Sequence, residues 1–169
     1  MASGSRRRGR YHDLVDDTRV VSWQLGRPAR PFRRVAARCA HGFPAVTEQA
    51  PFGADGEPFP TTFYLTCPWL VAGISRVEAE GGVERYSREA KEDAELGASL
   101  ERADAEQRSL RPELPVGIAG TRSRENLKCL HAHAAFALAR PGYELGERIM
   151  GEVEERWCPD RRCERAPQG

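Results

Sequence analysis

The sequence predicts an α+β fold, with a small antiparallel N-terminal sheet of about three strands packed with four to six helices. Three observations predict it. Strand-like runs separated by hairpin-length, turn-rich connections crowd the first third of the chain. From Pro68 onward the apolar residues recur at spacings of three and four, the period of an α-helix. Proline and glycine then divide the rest into segments of helical length.

The first helix is expected over 13–25. Asp13 or Asp16 caps it, Leu14, Val21 and Leu25 share a face, and Gly26 stops it. Pro28 and Pro31 hold the following linker extended. The strands are expected over 32–39, 44–50 and 61–66. His41-Gly42-Phe43 separates the first two. Phe52 to Pro60, dense in turn formers, separates the second from the third. Pro68 suits the first position of a helix, where its missing N–H costs nothing. Leu70, Val71, Ile74 and Val77 make the apolar stripe of that helix, and Gly81-Gly82 ends it. Residues 83–110, rich in Glu, Arg and Ala, read as one broken or two short surface helices anchored by Tyr86, Leu96, Leu100 and Leu110. Gly117 to Gly120 is a tight apolar loop. A helix from Ser123 to about Arg140 is apolar nearly all round and therefore buried on several sides. A last helix is expected over 145–157.

The 169 residues fit one domain. Residues 1–11 read as a flexible basic arm, carrying Arg6, Arg7, Arg8 and Arg10. Residues 12–157 read as a single α+β domain, and 158–169 as a polar C-terminal tail. Lys plus Arg number 26 against 25 Asp plus Glu, so no net charge draws the chain to nucleic acid. The most apolar stretch, 63–74, is too short to span a bilayer and is interrupted by Pro68. The N-terminus lacks the apolar run of a secretory signal, so a cytoplasmic location is expected. There the five cysteines stay reduced, and an odd count argues against a closed disulfide framework.

Chemistry is expected where thiols and imidazoles gather. Cys39 and His41 lie at the first hairpin turn, Cys67 at a strand-to-helix junction, and Cys129, His131 and His133 on one predicted helix. On a helix Cys129 and His133 are one turn apart and point the same way. Cys39, Cys67, Cys129 and His133 are therefore the expected ligands of zinc, which takes four such donors tetrahedrally, or of an iron–sulfur cluster. His41 and His131 are the alternates. No Cys-x-x-Cys pair accompanies them. The alternative is that these cysteines only pack as small buried residues in a plain interaction module. A third reading is a thiol-dependent enzyme acting on a small anionic substrate through Cys67, whose thiolate the N-terminus of the following helix favours. Two facts weigh against it: no arginine follows at phosphatase-loop spacing, and Pro68 removes an N–H donor. Cys158 and Cys163 read as incidental tail thiols. Lys128 and Arg122 are candidate contacts for an anion.

Five stretches, 24–28, 35–46, 58–68, 113–120 and 128–133, carry a resemblance to the bacterial domain-of-unknown-function 501 family. The most specific are Arg38-Cys39, Leu65-Thr66-Cys67-Pro68 and Lys128-Cys129-Leu130-His131-Ala132-His133. The resemblance implies a mainly actinobacterial protein, and a functional link to cell-division or phosphate-metabolism proteins through gene neighbourhood. It supplies no catalytic residues. Typical members have Cys-Pro where this chain has Cys39-Ala40, which loosens the turn presenting Cys39.

Overall fold

A computed structural model describes residues 6–122 and 126–168, with side chains from Asp16 onward. Ser123, the expected start of the buried helix, lies outside the described residues. The elements are α1 (Arg6–Leu25), β1 (Phe32–Arg38), β2 (Pro44–Gln49), β3 (Phe63–Leu65), α2 (Pro68–Ala79), α3 (Gly82–Glu92), α4 (Ala94–Leu110), α5 (Leu130–Ala139) and α6 (Glu144–Gly151). Two short 3-10 turns, Ile118–Gly120 and Arg162–Arg165, complete them. The fold is α+β, as the sequence predicts.

The sheet has the order β1-β2-β3 and is antiparallel throughout. β2 is central, and Ala45, Val46 and Thr47 on it are fully buried. It pairs Val46 with Leu65 on one side and with Ala37 on the other. Register shifts along β1 leave that edge irregular, which bends the strand and blunts it against further pairing.

α5 is the hub. Its sequence, LHAHAAFALA, has no polar face, so it must be covered on all sides. It lies between β3, α2 and α6. Small alanines let these neighbours approach, and Phe136 fills the space they leave. Its ring meets Phe63 edge-on at 5.6 Å and Tyr143 at 5.7 Å, the favoured geometry for aromatic pairs. Gly146 of α6 is packed so tightly on α5 that a Cβ there would fall 2.6 Å from the Ala137 Cβ.

α2 buries the predicted stripe through Leu70, Ile74 and Val77. Segment 83–110 is two helices, broken at Asp93, whose carboxylate accepts from the N–H groups of Glu95 (2.9 Å) and Leu96 (3.2 Å) and caps α4. Tyr86, Leu96 and Leu100 are buried anchors, whereas Leu110 is exposed at the end of α4.

Three boundaries differ from the sequence reading. α1 begins at Arg6, inside the stretch read as an arm. α6 ends at Gly151, six residues before Trp157. The third matters most: α5 begins only at Leu130. The preceding stretch is held out of helix by Lys128 at φ 63° and by side-chain bonds to its backbone. Leu127 N–H donates to Ser87 Oγ (3.1 Å) and Lys128 N–H to Asn126 Oδ1 (2.9 Å). Such local bonds compete with helix formation.

Candidate metal centre

Because α5 starts at Leu130, Cys129 is its N-cap residue, with extended backbone (φ −143°, ψ 113°). The helical spacing that was to pair Cys129 with His133 therefore does not apply. The thiol instead meets His131, Sγ to Nδ1 at 3.8 Å. The same Nδ1 lies 3.2 Å from Glu78 Oε1 on α2. The donor atoms of Glu78, Cys129 and His131 all lie within 4.8 Å of one another.

Both sides of this group are braced. His131 Nε2 faces Val71 O at 3.2 Å and Ser75 Oγ at 3.1 Å. A carbonyl only accepts, so Nε2 carries the proton, and Nδ1 is the nitrogen turned toward the thiol and carboxylate. Glu78 Oε1 is fixed by the Leu130 N–H at 2.7 Å. Glu78 thus joins α2 to the first turn of α5, and α2 supplies both the carboxylate and the outer partners of the ring.

The electrostatics are those of a coupled thiol and imidazole. Burial pushes the Cys129 thiol up, but the His131 hydrogen bond and the Ala132 N–H outweigh it, so its pKa is lowered. The bond to Cys129 raises His131 to about 8, against its desolvation and with help from Glu78. All three residues are partly exposed. Cys129 and His131 line a cleft of about 320 Å³ whose other walls include Phe63, Leu65 and Val71.

The remaining predicted residues lie elsewhere. His133 is fully buried. Its Nε2 donates to Leu127 O (3.2 Å) and its Nδ1 accepts from the Tyr143 hydroxyl (2.8 Å), so neither nitrogen is left to bind an ion. Desolvation lowers its pKa to about 4. Cys67 is the N-cap residue of α2, but its side chain makes no capping hydrogen bond. Burial raises its pKa to about 11, outweighing the pull of the helix's first N–H groups toward the thiolate. That is the wrong direction for a nucleophile at neutral pH. Cys39 and Cys67 both flank the start of β2, where the Cys39 N–H donates to Phe43 O and the Cys67 N–H to Ala45 O, and Cys163 Sγ reaches the same end through Gln24. His41 Nε2 bonds Cys158 O at 2.8 Å. Lys128 Nζ bonds Gly120 O at 3.4 Å.

Sequence reasoning missed Glu78. Its only signal is an acid directly after the buried Val77 of an amphipathic helix, which is ordinary in sequence and informative only once α5 is docked beside it.

The class of protein is therefore an α+β protein with a Glu/Cys/His group, able to hold a metal ion, beside a cleft. The family follows from comparison. Residues 35–153 match the family described as "Protein of unknown function (DUF501)", and the chain belongs to that family. No curated protein and no solved structure matches the chain. Among the described residues no helix is long and apolar enough to cross a membrane.

Proposed function

We propose that the protein binds a divalent metal of the zinc class through Glu78, Cys129 and His131, and holds a small ligand of that metal in the adjoining cleft. The observation that carries this reading is the convergence of one sulfur, one imidazole nitrogen and one carboxylate within 4.8 Å. Zinc takes all three donor types. Three protein ligands with one position left open mark sites that bind or activate a ligand, rather than purely structural ones. The outer contacts support the same reading. A ligating histidine normally donates its other N–H to a carbonyl or carboxylate, and His131 Nε2 faces Val71 O. Bound there, the ion would act as a Lewis acid on whatever occupies the cleft. The chain's own residues orient the ring, fix the carboxylate and wall the cleft with Phe63, Leu65 and Val71.

A second reading, thiol chemistry at Cys129, is favoured by its lowered pKa at the start of α5. The ring geometry ranks it below metal binding. In a nucleophilic triad the two imidazole nitrogens serve different partners, whereas here Nδ1 faces both thiol and carboxylate.

The test is a zinc titration against a chromophoric chelator. Wild type should bind one equivalent per chain more than the Cys129→Ser/His131→Asn variant, and Glu78→Gln should weaken that equivalent. Equal uptake by wild type and the double variant, with both folded, sinks the proposal. Rapid alkylation of Cys129 in zinc-free protein, with no zinc uptake, would move the assignment to thiol chemistry.

A further inference from the structure

We propose that Cys39, Cys67, Cys158 and Cys163 form a second centre, a structural zinc-class site of four thiolates made of different residues from the Glu78 group. The chain has five cysteines, and contacts bring the segments that carry four of them to one end of the sheet, although these are three distant stretches. Direct contacts tie these stretches together. The Gln24 amide donates both to Pro44 O (2.8 Å) and to Cys163 Sγ (3.3 Å), which sets that sulfur against the start of β2. Pro44 is the register partner of Arg38, the residue before Cys39, and the Cys39 N–H closes the turn onto Phe43 O at 2.9 Å. Ala45, next along β2, accepts from the N–H groups of Thr66 (2.9 Å) and Cys67 (3.3 Å). His41 pins the same turn to Cys158 O, and the Arg162 guanidinium lies 4.9 Å over the ring of Trp69, two residues beyond Cys67.

The surroundings offer the sulfurs a hydrogen-bond donor and a nearby cation. Cys67, Cys158 and Cys163 are buried. The Gln24 amide donates to the Cys163 sulfur at 3.3 Å. A cysteine that merely fills space needs no such donor. Arg162 sits near enough to Cys67 and Cys158 to interact with their charge, which offsets the net negative charge of four thiolates on a divalent ion. The site also has a structural purpose. Among the described residues beyond Gly151, the 3-10 turn Arg162–Arg165 is the only regular structure, yet Cys158, Cys163 and Ala166 are buried. A metal that joins this segment to the β1–β2 turn and the β3–α2 junction holds it where secondary structure does not.

Among the described residues, Glu78, Cys129 and His131 are the group whose donor atoms already lie within 4.8 Å. No three of the four sulfurs lie that close together, so binding would have to draw them in around the ion. Four thiols and one Zn²⁺ give one tetrathiolate complex and four released protons, with no change of oxidation state.

The experiment uses full-length Cys129→Ser/His131→Asn protein, in which the Glu78 group is disabled, purified without chelator under reducing conditions. Elemental mass spectrometry should find about one zinc per chain, and X-ray absorption should find four sulfurs at about 2.3 Å. Adding Cys163→Ser should release most of that zinc. Folded protein without zinc, a mass lower by the hydrogens of a disulfide, or a shell containing nitrogen or oxygen overturns the proposal. The absorption measurement needs no change at the four cysteines, so it decides even where Cys163→Ser fails to fold. Failure here leaves the Glu78 reading standing, because that one is read from the difference between wild type and this same background.

Discussion

Replacing Gly146 by alanine tests the packing that positions α5, and with it Cys129 and His131. A Cβ at Gly146 would lie 2.6 Å from the Ala137 Cβ, 2.6 Å from Tyr143 Cδ1 and 2.8 Å from the His133 carbonyl oxygen. Carbon atoms pack comfortably at about 3.5–4.0 Å, so α6 and α5 must separate by about 1 Å, the shortfall at the closest contact. Ala137, Tyr143 and His133 are all buried, and the last contact is backbone, so no flexible side-chain end can yield. Overpacking of this kind costs about 1–3 kcal/mol. For a chain of this size that lowers Tm by about 2–12 °C. Gly151, at the other end of the same helix, provides the control, because nothing lies within 4 Å of its added Cβ. Gly151→Ala should stabilise by about 0.4–1 kcal/mol through the lost freedom of the unfolded chain. The same chemical change in one helix should therefore act with opposite signs. Urea unfolding by circular dichroism, with the slope held constant, reads both. A Gly146→Ala protein as stable as wild type would refute the tight α5–α6 contact and the placement of the site that depends on it.

Other outcomes follow from the same geometry. His133 is held neutral, with a folded pKa of about 4 against 6.5 when exposed, so its contribution is whole above about pH 6.5 and is lost as pH falls toward 4. The loss is about 3 kcal/mol. Stability measured from pH 7.5 to 4 should fall less steeply in His133→Gln than in wild type, and parallel slopes would contradict the assignment. Asp93→Ala removes the cap of α4 and should cost about 1 kcal/mol, visible as a lower urea midpoint; no change would mean the cap contributes nothing. Leu70→Ala opens a cavity under α2, where Leu70 is fully buried, and should cost about 2–5 kcal/mol in the same assay. A loss below 1 kcal/mol would argue against that burial.

The sheet was legible because its signals are local. Strand-like runs between turn formers mark all three strands, and observed β1 and β2 fall inside the predicted ranges. Pro68 marked the start of α2, and the i, i+3, i+4 stripe marked its buried face. α5 was legible as a buried helix because its sequence has no polar side, but its start was not. Asn126 and Ser87 divert the backbone at 127–128 by side-chain bonds, and Ser87 is 39 residues away from Asn126. The same shift decided the site. It took Cys129 out of helical phase with His133, turned it toward His131 and brought Glu78 alongside.

By itself, then, the sequence determined the fold class, most elements, the core stripes and the residue types able to bind a metal. Each of these depends on the chemistry of neighbours along the chain. Tertiary structure alone decided which donors meet. It turned His133 inward onto Tyr143 and Leu127, and joined Glu78 to Cys129 and His131. It also folded the segment carrying Cys158 and Cys163 back against the β1–β2 turn and the start of β2. A ligand set is defined by distances of a few ångströms between residues far apart in sequence. Those distances are set by how helices and strands pack, which no local pattern encodes.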